Sequence, residues 1–219
     1  MSPYRERYHR ELKELKDLTK ELAVRVGGAI DKSVMALSNA DVALAREIIM
    51  QDQEMDDLSL DIENLCMELL ALQQPMAKDL RRIVGILKIS IDLERIGDLA
   101  VDVARVTTQS QDKILITKLE YIPHMAEIST KMLDQSMLAL MESNADLARQ
   151  VTKWDYEIDG LYVKAKTKLL KIIIEKPDVI NEGSALLMVN RHLERTGDHI
   201  CNICESIVYM VDAKREHLN

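Results

Sequence analysis

The amino-acid sequence predicts an all-α protein with six long helices, arranged as two tandem three-helix bundles related by pseudo-two-fold symmetry. The composition favours helices around an aliphatic core, because 47% of the 219 residues are hydrophobic while the chain has only 7 Gly, 4 Pro and no Phe. Apolar residues recur at spacings of three and four, the period of an amphipathic helix. The hexapeptide LERIGD at 93–98 returns as LERTGD at 193–198, which indicates an internal duplication.

The first predicted helix extends from about Tyr4 to Leu37 and carries one apolar stripe that includes Leu15, Leu22 and Ile30. The stretch SNAD at 38–41 interrupts this stripe. Its small and polar side chains favour a turn, and they offer caps for the helix that follows. We therefore expect the first break between helices here.

The second predicted helix has apolar residues whose spacings alternate between three and four: Met55, Leu58, Ile62, Leu65, Leu69 and Leu72. Such an apolar line is typical of a helix that packs lengthwise on other helices. Pro75 ends this helix, because a proline disfavours the helical conformation of the residue before it. The third helix then follows from about Ala77 to Thr108.

The second half of the chain repeats this plan. SNAD returns at 143–146, which is 105 residues after its first occurrence. The acidic stretch that begins at Asp155 follows the one that begins at Asp52 by 103 residues, and the hexapeptide repeats after 100. Pro177 stands where Pro75 stood. Matches in one order with a drifting offset indicate two copies of one unit that differ slightly in loop length.

These repeats predict a first three-helix unit over residues 1–108, a connection over 109–118 and a second unit over 119–219. Long helices with short connections favour an antiparallel up-down-up bundle in each unit.

Both copies of the hexapeptide place a glutamate four residues before an aspartate. The first pair, Glu94 and Asp98, continues an apolar line that includes Leu80 and Ile91. We therefore expect these two carboxylates at positions on the helix that would otherwise belong to the core. The second pair is Glu194 and Asp198. Burying an unpaired carboxylate is costly, so these groups should lie in an open groove, pair with arginine or bind cations.

A glycine precedes the aspartate in each copy, and glycine inside a helix costs about 1 kcal/mol against alanine. Its usual reason is the close approach of another helix, here the second helix of each unit. That helix carries its own acids at the same spacing of four: Asp52 with Asp56, and Asp155 with Asp159. Converging carboxylate oxygens suit hard cations such as magnesium, calcium, manganese and iron. The alternative is that Glu94 and Glu194 pair on the surface with Arg95, Arg195 or other basic residues.

A second set of metal-binding residue types lies in the last helix: His192, His199, Cys201 and Cys204. The equivalent residues of the first unit at the two cysteine positions are Val101 and Ala104, which are ordinary core residues. Packing in the core is therefore one interpretation of the two cysteines, and a zinc site is the other.

Charge and motifs narrow the function. The net charge of −8 and the pI near 5.2 argue against nucleic acid as a partner. Lys78, Arg81 and Arg82 form a local basic cluster that is either a docking site or a solvated helix face. No apolar leader or membrane-spanning run is apparent, which predicts a cytoplasmic protein. With no nucleotide motif and no nucleophile–base pair, we expect no enzymatic activity.

The sequence resembles the PhoU family of phosphate-transport accessory and regulatory proteins over nearly its whole length. The stretches that carry the resemblance are QQPMAKDLRRIVGILK (73–88), DLERIGDLA (92–100) and HLERTGDHICNICESIVY (192–209). It implies two three-helix bundles whose repeated acidic motifs bind iron or zinc clusters in some members. Asp102 would extend the first motif by one turn, and its counterpart Asn202 is a weaker ligand.

The resemblance also implies a non-enzymatic role, namely repression of the phosphate-starvation response when phosphate is plentiful. The implied partners are a sensor histidine kinase, the ATPase subunit of the phosphate ABC transporter and a second copy of the chain, with the membrane reached only through partners. The expected cofactor is a metal ion (iron, zinc, manganese or magnesium) and no organic group. The alternative function is a carboxylate-bridged multinuclear metal-binding bundle with a role in metal storage or catalysis.

Overall fold

The computed structural model describes residues 3–73, 75–109 and 120–218, and within them the chain is helical without a β-strand. The six long helices are α1 (Pro3–Asn39), α3 (Asp52–Gln73), α4 (Ala77–Gln109), α5 (Tyr121–Glu142), α7 (Asp155–Glu175) and α8 (Ile180–Asp212). Two short helices, α2 (Val42–Met50) and α6 (Ala145–Val151), lie between long ones. The predicted all-α class with six long helices is confirmed. Of the predicted connection over 109–118, all but Gln109 lies outside the described residues.

The short helices α2 and α6 were not predicted as separate elements, although their caps were. Asp41 accepts a hydrogen bond from the Leu44 amide at 3.0 Å, and Asn144 accepts one from the Leu147 amide at the same distance. The two caps are 103 residues apart. The repeated letters SNAD, which are 105 residues apart, are therefore two residues out of structural register, because different letters of the motif cap the two helices.

The left-handed residues that precede the caps follow the same register. Ala40 has φ 52° and Ser143 has φ 55°, and each ends a long helix so that the chain can turn into the short one. The same turn is thus built twice from different side chains.

Helices α1, α3 and α4 pack together with α2, while α5, α7 and α8 pack together with α6. The predicted stripe of α1 is buried, as are Met55, Ile62 and Leu69 of the predicted apolar line on α3. Leu72, at the end of that apolar line, is exposed. Periodicity therefore located the buried faces of α1 and α3.

Helices α4 and α8 form the main contact between the two units. Gly85 faces Met210 and Asp92 faces His199, so the two helices run antiparallel. The Asp92 carboxylate lies 2.9 Å from Nδ1 of His199 and accepts a hydrogen bond from the Asn202 amide at 3.2 Å. We call this contact the seam. It joins the units through polar groups as well as through apolar packing.

The only tryptophan of the chain, Trp154, lies in a short 3₁₀ turn (Thr152–Trp154) that leads into α7. The ammonium group of Lys131 stands 4.3 Å from the centre of the indole ring, a cation–π contact.

Within the described ranges, no helix combines the length and the apolar character that crossing a bilayer would need.

Substitution of Gly85 tests the packing at the seam. A Cβ at this position would lie 2.2 Å from Cγ of Met210, which is buried, so Gly85→Ala should lower the free energy of unfolding by about 1–3 kcal/mol through overpacking. Gly160 on α7 meets nothing within 4 Å, so Gly160→Ala should instead raise it by about 1 kcal/mol. Urea unfolding followed by circular dichroism measures both, and a stabilising Gly85→Ala would contradict this packing.

Candidate metal centre

The sequence predicts that the acids of the first hexapeptide continue a line of core residues, but in the structure that line is not part of the core. Leu80 and Ile91, on the same line, are 42% and 47% exposed. The buried face of α4 is formed instead by Ile83, Ile86, Ile89, Leu93 and Ile96. The expectation is wrong because α4 contacts α1, α3 and α8 together, so its buried face is broad and is centred beside the predicted line. Glu94 and Asp98 are half-buried at the margin of that face, and burial raises the pKa of Glu94.

In the first unit, α3 and α4 bring three carboxylates together. Oxygens of Asp52, Asp56 and Asp98 all lie within 4.8 Å of one another, and no other three potential metal ligands do so in the described part of the chain. Burial raises the pKa of Asp52, and the negative charges of Asp56 and Asp98 raise it further. The predicted convergence of the two helices on an acidic cluster is observed here. A cation at this point would bridge them.

Two arginines lie at the edge of this first cluster. Arg95 donates to Asp98 at 3.1 Å, and Arg105 donates to Asp102 at 2.7 Å while standing 3.6 Å from Asp52. Both arginine side chains are about half exposed, so these surface pairs contribute little to stability and can be displaced. Asp102 thus faces Arg105, although its charge still raises the pKa of Asp52. Pairing with arginine and clustering of carboxylates coexist in this unit.

The second unit has its own acidic cluster, which is buried more deeply. Asp155 is 2% exposed, and burial followed by the charges of Asp159 and Asp198 raises its pKa to about 6. Burial and the charge of Asp198 likewise raise the pKa of Glu194. Glu194 pairs with Arg191, a basic residue other than Arg195, so the alternative of pairing with a basic residue holds for this glutamate. Electrostatic coupling therefore joins Asp155, Asp159, Glu194 and Asp198.

Two carboxylate oxygens of the second cluster are buried without a hydrogen-bond partner in the described chain, namely Oδ2 of Asp155 and Oε2 of Glu194. Unpartnered buried carboxylate oxygens are costly, and a cation would satisfy them. Carboxylate oxygens of this kind suit a metal ion that prefers oxygen ligands. No three of the acids of this cluster lie within 4.8 Å of one another, however, so an ion here would require them to move closer together than they stand.

The two glycines of the hexapeptides, Gly97 and Gly197, differ in the space that a Cβ atom would find there. A Cβ on Gly197 would lie 2.2 Å from Oδ1 of Asp155, so glycine is required for α8 to cover that carboxylate. A Cβ on Gly97 would lie 3.5 Å from the sulfur of Met55, an ordinary contact. The atoms nearest to a Cβ on Gly197 belong to side chains of α7, so the second helix crowds this glycine through its side chains, whereas alanine would fit at Gly97.

The cysteines and histidines of α8 do not assemble into one site. Cys201 and Cys204 are buried in the core, and burial raises the pKa of both thiols, that of Cys204 to about 12. His199 is held by Asp92 at the seam, a contact that sequence reasoning missed although Asp92 adjoins the first hexapeptide. These positions favour packing as the interpretation of the two cysteines.

The buried carboxylate of Asp155 makes the stability of the metal-free protein depend on pH. Its native pKa of about 6 exceeds the ordinary 3.8, so the folded state binds the proton more tightly than the unfolded state. Its favourable contribution is complete below about pH 4 and is lost as the pH rises through about 6. In a chelator at pH 7, Asp155→Asn should raise the free energy of unfolding by on the order of 1–3 kcal/mol.

The gain from Asp155→Asn should vanish at pH 4, where the wild-type carboxyl is protonated too. Urea unfolding at the two pH values measures this, and Asp61→Asn, which changes an exposed acid of α3, is the control. A gain that is equal at both pH values would show that the carboxylate is not held in a buried environment.

Comparison with known proteins follows the duplicated structure. A family model described as the PhoU domain matches the chain twice, over residues 19–107 and 122–207. A protein of Clostridium acetobutylicum, named phosphate-specific transport system accessory protein PhoU homolog, is 36% identical over 211 residues, which cover 94% of this chain and 96% of the relative. A protein of the same name from Aquifex aeolicus is 35% identical over 95% of this chain and 96% of its own.

Two solved structures share the fold. The crystal structure of PhoU from Pseudomonas aeruginosa matches with a TM-score of 0.86 and 31% identity, covering 94% of this chain and 100% of its own. The phosphate transport system regulatory protein PhoU from Streptococcus pneumoniae matches with a TM-score of 0.89 and 30% identity, over 95% of this chain and 99% of its own. Two family domains, near full-length relatives and two shared folds lead to one conclusion: the chain belongs to the PhoU family.

Proposed function

We propose that the protein is a non-enzymatic regulatory adaptor of phosphate uptake that represses the phosphate-starvation response when phosphate is plentiful. The observation that carries this proposal is the match, over nearly the whole length of both chains, to relatives named as accessory proteins of the phosphate-specific transport system. In this proposal the cytoplasmic partners are the ATPase subunit of the transporter and the sensor histidine kinase of the phosphate regulon. The protein acts as a homodimer and reaches the membrane only through these partners.

Exposed apolar residues on the second helix of each unit support the role of an adaptor. Leu60 and Met67 of α3 are 54% and 55% exposed, and Val163 and Leu170 of α7 are 58% and 41% exposed. Each pair is seven residues apart, so both members lie on one face of their helix. We call these pairs the outer stripes. They are related by the offset of 103 residues, so both units present apolar side chains at equivalent positions for a protein partner to cover.

We also propose that the two acidic clusters bind metal ions as part of this function. Asp52, Asp56 and Asp98 would hold one ion, with Glu94 and Asp102 beside them, and the second site would consist of Asp155, Asp159, Glu194 and Asp198. A bound cation would neutralise the converging carboxylates. The protein's own contribution is to hold the acids of two helices at a fixed separation, so that binding ties α3 to α4 and α7 to α8. The carboxylate donors favour iron, manganese or magnesium, with zinc as a borderline candidate.

Deletion of the gene tests the regulatory proposal. A strain without the protein should express phosphate-responsive genes at a high level in abundant phosphate, and the wild-type gene should restore repression. The double variant Val163→Glu with Leu170→Glu should fail to restore it, because two charges on the outer stripe of α7 would be buried against a partner. A reporter fused to a phosphate-responsive promoter measures the response.

Val24→Glu is the matched control for the stripe variant, since Val24 is 65% exposed on α1 and lies outside the stripes. Repression should be intact with this control. Unchanged expression in the deletion strain would remove the regulatory assignment, and full repression by the stripe variant would remove the assigned surface.

Loss of one aspartate from each acidic cluster tests the metal proposal. The double variant Asp98→Asn with Asp198→Asn should hold less metal, measured by elemental mass spectrometry, and should lose any rise in melting temperature that iron, zinc, manganese or magnesium causes in the wild type. Asp61→Asn should behave as the wild type. A wild-type protein that purifies without metal, and whose melting temperature ignores all four ions, would contradict the proposal.

A further inference from the structure

Three cationic side chains converge on a cavity that lies between the two units. Lys16 of α1, together with Lys78 and Arg82 of α4, lines a cavity of about 150 Å³. The facing wall comes from α5 and α8 of the second unit and from the residue that ends α5, and consists of Leu140, Ser143, Ile207, Met210 and Val211. None of the described residues that line it is acidic. The cavity therefore combines a positive wall from one unit with an apolar wall and one hydroxyl group from the other.

The positive charge of this cavity is poorly balanced. Arg82 has one carboxylate neighbour, Asp79, at 3.4 Å, a weak contact between partly exposed groups. In the described ranges, Lys16 and Lys78 have no carboxylate within ion-pair distance. Lys16 is half-buried, and both its burial and the charge of Arg82 lower its pKa. Converging cations with so little compensation repel one another, and a bound anion would relieve that repulsion.

The size and the donors of the cavity restrict the anion. Sites for drug-sized ligands occupy roughly 300–1,000 Å³, so a cavity of about 150 Å³ admits only a small ion. A guanidinium group pairs with two oxygens of a phosphate or sulfate group, and an ammonium group supplies a compact charge with several donors. Arg82 and the two lysines thus provide the donor types that recognise a tetrahedral oxyanion.

We propose that this cavity binds inorganic phosphate and that the bound anion links the cationic wall of the first unit to the wall of the second. The site itself rests on the geometry of Lys16, Lys78 and Arg82. The choice of phosphate over sulfate rests on the proposed function. Binding here would give the protein its own contact with the ion whose uptake it regulates, and would act on the seam between its halves.

Calorimetric titration of the full chain tests this site. The protein is kept in a chelator, so that metal at the acidic clusters cannot bind the anion, and is titrated with inorganic phosphate and separately with sulfate. The wild type should bind phosphate saturably and should bind sulfate more weakly. Lys78→Gln and Arg82→Gln should each weaken phosphate binding about tenfold, because each removes a charged donor. Added salt should weaken it as well.

Lys88→Gln is the control, since it removes an exposed positive charge from the same helix outside the cavity. Lys78 is itself exposed, so its replacement leaves the packing intact and a loss of binding reports the charge. Phosphate should raise the melting temperature of the wild type and of the Lys88→Gln variant, and should raise that of the Lys78→Gln variant less.

Absence of saturable phosphate binding, or an equal loss with Lys88→Gln, would overturn the site. Equal binding of sulfate would overturn the choice of phosphate while the oxyanion site stood. Neither result bears on the regulatory proposal, because the deletion strain tests that role without reference to this cavity.

Discussion

The antiparallel contact of α4 with α8 is the constraint on which the other features of the molecule depend. These two helices of 33 residues each carry both acidic hexapeptides, and they can lie close together because Gly85 admits the side chain of Met210. Asp92 then reaches His199 and Asn202 across the seam. Each acidic cluster includes acids from one of these two helices, the first cluster partly exposed and the second more deeply buried, and Met210 lines the cationic cavity. Each candidate site thus includes residues of α4 or α8, and the packing of these two helices helps to set its position.

The duplication has produced two acidic clusters with different electrostatics. In the first unit the acids share a partly exposed surface with Arg95 and Arg105, which limit their repulsion. In the second unit Gly197 lets α8 cover Asp155, so that this carboxyl is buried and titrates near pH 6. The same spacing of acids therefore gives one cluster that is charged and accessible, and one that holds a proton more readily.

Periodicity and capping chemistry are local properties, and what they determine could be predicted from the sequence. The stripe of α1, the apolar line of α3 and the caps near 41 and 144 belong to this class. The meeting of Asp52, Asp56 and Asp98 is a contact between two helices, and it was predicted from the acidic pairs that both halves of the chain repeat. The direction of the buried face of α4 could not be predicted, since it depends on three neighbouring helices at once. The contact of Asp92 with His199 and the approach of Lys16 to Arg82 depend on tertiary packing in the same way.

The position of Trp154 gives the molecule an internal spectroscopic probe. Its indole ring is held beneath Lys131 and directly precedes the buried Asp155, far along the chain from the first acidic cluster. With no second tryptophan, the emission spectrum reports the surroundings of the second cluster alone, whereas backbone dichroism averages over both bundles. The two optical signals therefore separate events in the second half of the protein from events in the whole, without any label being attached.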